Sequence, residues 1–158
     1  MNAQTTRRSL LGVTGAAFSV GLCGCLETVV PDADEAEALV AELWVYDRQA
    51  DRTEPVADTH HHHWHGEIPD IRRGSVLSLG AEFKNHDRES IPIGDDEPYH
   101  LQARRVGDTL ETMSVDSHGD HLRIVGEEIG ESDIIFQLAE RDETLWEAPP
   151  IGITVRPA

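Results

Sequence analysis

The chain has 158 residues, 39% of them hydrophobic, which is enough apolar material for one modest core and too little length for a second ordinary domain. Thirty acidic residues stand against 13 basic ones, for a formal charge of −17, and Lys84 is the only lysine. No basic face is therefore available to neutralise phosphates, which excludes nucleic acid as a partner. The acids are spread through apolar-periodic segments instead of forming one block, which excludes a disordered acidic tail as the main feature.

The first segment, 1–25, reads as an export signal. Arg7 and Arg8 precede an uncharged apolar stretch from Leu10 to Leu22 that is too short to span a bilayer comfortably. The pair followed by Ser9-Leu10-Leu11 resembles a twin-arginine signal. Leu22-Cys23-Gly24-Cys25 resembles a lipobox, with Cys25 as the expected lipidated residue and Cys23 as the competing position. Lipid at Cys25 would tether the domain to the outer face of the cytoplasmic membrane without a spanning helix. Both cysteines fall in this leader, so the mature chain would carry no disulfide and no thiolate ligand. Residues 26–38 are acidic and interrupted by Pro31, and read as a tether.

From residue 39 to 158 the dominant period is two. Leu77, Leu79, Ala81 and Phe83 share one face, as do Tyr99, Leu101 and Ala103, then Ile134, Phe136 and Leu138, then Ile151, Ile153 and Val155. Shorter candidates are LVAELWVYD, ETMSVDS and HLRIVG, and the runs are separated by turn signals such as NHDRES, SHGDH and EAPP. The expectation is an all-β antiparallel sandwich of seven or eight strands. Their order, above all LRIVGEEIGESDIIFQL with a closing PPIGITV, resembles the immunoglobulin-like domains of microbial surface proteins.

Seven of the nine histidines fall in two clusters, His60 to His63 with His65, and His118 with His121. Each cluster places two imidazoles three residues apart beside a large apolar residue, Trp64 or Leu122. His60, His63, His118 and His121 are thus the principal candidate metal ligands, with His65 on the strand face of His63. Asp58, Asp116 or Asp120 could add a fourth ligand or orient an imidazole. Nitrogen and carboxylate donors without sulfur suit Zn(II) first, with Cu(II) or Ni(II) as alternatives. A solvated polar loop is the competing reading of both clusters. His86 and His100 read as ordinary surface histidines, and Trp64 as a core anchor.

The acidic surface with almost no lysine resembles proteins of salt-loving archaea. The HxxHWHG and SHGDH phrases together resemble a group of exported lipoproteins, with His61 and His62 standing where that group usually has Gly-Asp, and Arg123 where a further histidine is often found. The resemblance implies metal binding outside the membrane, linked to zinc acquisition, with the membrane, a divalent ion and a metal transporter as partners. The second expectation is a structural or adhesive surface domain with incidental histidines. A hydrolytic metalloenzyme, with Glu67 as general base, is the third. It lacks a His-Glu-x-x-His helix, a nucleophilic triad and a phosphate loop, so no catalytic residue is expected.

Overall fold

The computed structural model describes residues 39–50, 54–60, 62–107 and 112–158. Arg7, Arg8, Cys23, Cys25, the tether and His61 lie outside the described residues. The elements among them are twelve strands: β1 Glu42–Asp47, β2 Ala57–His60, β3 His63–Gly66, β4 Ile71–Arg72, β5 Val76–Lys84, β6 Ser90–Ile91, β7 Tyr99–Arg105, β8 Met113–His118, β9 His121–Gly126, β10 Gly130–Glu140, β11 Glu143–Glu147 and β12 Ile151–Arg156. They form two sheets. The first runs β3-β2-β1-β5-β9-β8 with β6 beside β5, and the second runs β11-β10-β12-β4 with β7 on the other side of β10. All pairings are antiparallel except β12 with β4.

The expected all-β sandwich is what forms, because alternation gives each sheet one apolar face and the two faces bury each other. Leu43 and Val45 of β1, Leu79 and Phe83 of β5, and Leu122 and Ile124 of β9 are fully buried on the first sheet. Leu101, Ile134, Phe136, Leu138 and Ile153 answer them from the second. Rings cross the gap: Phe83 meets Trp146 edge to face at 5.9 Å, and Trp64 meets Phe136 at 5.8 Å.

More strands form than the seven or eight expected. The additional ones are short, with β4 and β6 spanning two residues each, and such pieces carry too little alternation to read as strands. Two others have a specific cause. β11 and β12 both run antiparallel to β10, one after the other, as a single return course interrupted at Ala148-Pro149-Pro150. Proline has no N–H to give the ladder, so the course breaks there.

Candidate functional site

His60, His63 and His65 of the first histidine cluster lie on two paired strands. His60 and His63 are register partners across β2 and β3, so the His-x-x-His spacing reflects two antiparallel strands. Thr59 and Trp64 form the next pair and face inward: Thr59 is buried, and Trp64 packs on the core and donates its indole N–H to the Pro149 carbonyl at 2.8 Å. Alternation then puts Asp58, His60, His63 and His65 on the outward face. Gly66 ends the phrase at φ 82°, with the Val56 carbonyl oxygen occupying the space a Cβ would need.

On the neighbouring strand, Glu42 is the partner of His60. The His60 ring lies between two carboxylates, Nδ1 at 3.5 Å from Glu42 and Nε2 at 3.7 Å from Asp58. The His65 ring approaches it edge-on at 6.2 Å. His60, His65, Asp58 and Glu42 therefore form one outward cluster of nitrogen and oxygen donors.

The second cluster repeats the device. His118 and His121 are partners across β8 and β9, joined by Gly119-Asp120. Gly119 has φ 59°, as the first turn position of such a hairpin demands, and a Cβ there would stand 2.6 Å from the Asp95 carboxylate. The two imidazoles stack at 5.2 Å with 21° between planes. Asp120 accepts from His121 Nδ1 at 2.8 Å and from Arg48 at 3.2 Å. Burial alone would raise the Asp120 pKa, but the His121 hydrogen bond and the Arg48 charge outweigh it and hold the carboxyl below its usual range. A carboxylate beside Nδ1 orients the His121 ring, as such partners do for metal-binding imidazoles.

Register also separates the clusters. His60 lies level with Glu42 of β1, whereas His121 lies level with Gly80 of β5 and, through it, Tyr46 of β1. Three strand spacings and a four-residue offset put the pairs about 20 Å apart. Both project from the same outward face and both turns point to the same end of the sheet, but at opposite edges. Trp44, Tyr46, Glu82 and Lys84 occupy the face between them, Lys84 resting 3.2 Å over the Trp44 ring. The structure thus pairs His118 with His121, and His60 with both His63 and His65, but does not bring His60, His63, His118 and His121 to one centre. Among the described residues, no three His, Cys, Asp or Glu side chains are grouped as a ready-made metal cage.

Asp116 pairs with Arg123 at 3.7 Å, one step along the second hairpin from the imidazoles. His100 contacts Gln102 on the other sheet, at 3.0 Å. Sequence reasoning passed over Glu42 and Arg48, although the alternation of ELWVYD already aligns Glu42 with Trp44 and Tyr46. Their register against the histidine hairpins has no local sequence signal. It also passed over the polar pocket at the end of the sandwich, which His60, His62 and His86 line together.

No family model matches this chain. No curated protein matches it either. A similar solved structure is that of domains 4 and 5 of the S-layer protein SbsC, at 9% identity and a TM-score of 0.41, covering 73% of this chain and 76% of that one.

Proposed function

We propose that this protein is a lipoprotein tethered through Cys25 outside the cytoplasmic membrane, whose sandwich captures a divalent transition metal, zinc first, on the outward face of its larger sheet. The observation that carries this reading is the placement of His60 between the carboxylates of Glu42 and Asp58, with His65 beside it. Neutral imidazoles and carboxylates without sulfur are the donor set that zinc, copper(II) and nickel(II) accept. The His60 side chain is 41% exposed, so its ring can turn onto an ion without disturbing the core. The His121 ring, held by Asp120, supports a second, independent site at the other edge. A net charge of −17 draws cations to the surface and suits capture better than catalysis. A transporter in the same membrane is the natural recipient of the ion.

Equilibrium dialysis of zinc against the full-length chain tests the reading. Replacing His60 and His65 by alanine should remove one class of site and leave the other. Replacing His118 and His121 should do the reverse. Zinc uptake unchanged by either pair would overturn it.

A further inference from the structure

The second sheet is open between β12 and the segment that leads into β4, where a groove of about 650 Å³ runs along the edge of β12 at Gly152 and Thr154. The parallel ladder of β12 with β4 covers only Val155 with Ile71 and Arg156 with Arg72, and beyond them the Arg73 N–H donates to the Arg156 carbonyl at 2.8 Å. Continued backwards in steps of two, this pattern would set the N–H of Ile71 against Thr154 and that of residue 69 against Gly152. Residue 69 is a proline, which has no N–H, so the ladder ends and the Gly152 carbonyl loses that donor. Ile68, buried in the core, draws the segment inward and keeps the groove open. The other side of β12 agrees. Asp133 of β10 is the register partner of Gly152, yet its carbonyl accepts the Val106 N–H at 2.9 Å on the β7 side. Asp133 and Gly152 therefore exchange no backbone bond, and exposed Gly152 turns its N–H and carbonyl to the groove.

Both walls of the groove are acidic. Glu67 and Asp70 stand on one, and Glu131 and Asp133, on the outward face of β10, on the other. Arg156, the one cation among the described lining residues, is committed to Asp70. We propose that this edge of β12 docks an extended segment of a partner protein with lysine or arginine at alternate positions, added as a strand beside Gly152 and Thr154. Main-chain bonds to Gly152 hold such a strand, and its alternate side chains point to the outward face. Because Gly152 has no side chain, a lysine can lie across β12 and reach Asp133 or Glu131, whose strand is roughly 10 Å away across two spacings. Charge selects the occupant. The 26–38 segment of this chain contains no lysine or arginine, and a second copy brings a charge of −17, so neither complements these walls. The site lies on the opposite sheet from the histidine clusters and does not depend on metal capture.

A blocked peptide alternating lysine with threonine is the probe, beside one alternating glutamate with threonine. Each is titrated into the full-length chain at the lowest salt that keeps the sheet signal, with fluorescence anisotropy reporting affinity and amide hydrogen exchange reporting position. The lysine peptide should bind, slow exchange at the Gly152 and Thr154 amides, and be weakened about fivefold by Glu131→Gln with Asp133→Asn. Gly152→Val, which closes the gap but keeps the N–H, should weaken it as well. Glu97→Gln with Glu143→Gln, which removes the same charge away from the groove, should leave binding unchanged. Circular dichroism confirms that each variant keeps the sheet. Equal weakening by the two double variants would mean unspecific attraction to an acidic surface and would overturn the site. Binding without protection of Gly152 and Thr154 would overturn strand addition, and failure of the lysine peptide to bind better than the glutamate peptide would overturn the proposal outright.

Discussion

The Trp64 indole N–H donates to the carbonyl oxygen of Pro149 at 2.8 Å, joining the histidine hairpin of one sheet to the proline break of the other. The proline pair cannot continue the ladder, so its freed carbonyl needs a donor, and Trp64 supplies it while packing on Phe136. Trp64→Phe should keep most of the packing and lose about 1 kcal/mol with the hydrogen bond. Trp64→Ala should cost about 3 kcal/mol and loosen the hairpin that carries the histidines. Denaturant titration at constant high salt measures both, and a Trp64→Phe midpoint equal to that of the unaltered chain would refute the hydrogen bond's contribution.

Gly66 and Gly74 share a left-handed backbone, at φ 82° and 80°, but differ in their surroundings. Nothing lies within 4 Å of a Cβ built at Gly74, whereas the Val56 carbonyl oxygen blocks one at Gly66. Gly74→Ala should cost about 1 kcal/mol of backbone strain. Gly66→Ala adds a backbone clash and should cost on the order of 3 kcal/mol. Thermal denaturation of the pair separates conformational strain from collision.

Glu147 and Tyr46 contribute to the pH dependence of stability in opposite senses. Glu147 accepts both Arg104 nitrogens, at 3.0 and 3.1 Å, and that pairing, against some desolvation, holds its carboxyl below the ordinary 4.5. A lowered folded value stabilises the fold fully above 4.5 and loses that contribution as the pH falls through the folded value. Glu147→Gln should lack this part of the acid transition. Tyr46 behaves in the opposite sense: burial first, then its hydrogen bond to Glu82, pushes the phenol up to about 12. Its contribution is complete below 10 and disappears as the pH rises toward 12. Tyrosinate absorbance of a Tyr99→Phe chain should show this late titration, and Glu82→Gln should bring it earlier.

The charge of −17 predicts a fold that depends on screening. At 1 M salt the Debye length is roughly 3 Å, so carboxylates on neighbouring strands cease to repel strongly. Circular dichroism during dilution into low salt should show loss of the sheet signal. An unchanged spectrum would contradict the salt-dependent account of the surface.

Much of the fold was legible because alternation is a local signal. Leu77, Leu79 and Phe83 point inward as their period of two requires, and Ile134, Phe136 and Leu138 do the same on β10. The site was legible in part. His-x-x-His beside Trp64 and beside Leu122 marked two segments correctly as alike, and register shows why: each is a hairpin pair. Whether the pairs meet depends on the stagger of β2, β1, β5 and β9, which is set by pairings far apart in the chain. His86 read as an ordinary surface histidine, and that it lines the same pocket as His60 has no local sequence signal, since it depends on two turns far apart in the chain.

The most direct measurement is isothermal titration of zinc into the full-length chain in high salt, beside a variant with His60, His63, His65, His118 and His121 all replaced by alanine. The account predicts stoichiometric binding to the native chain and loss of at least about a hundredfold in affinity in the variant, with the sheet spectrum retained. Equal, weak zinc binding by the two chains would contradict it, and would assign the histidine hairpins to the surface of a structural domain.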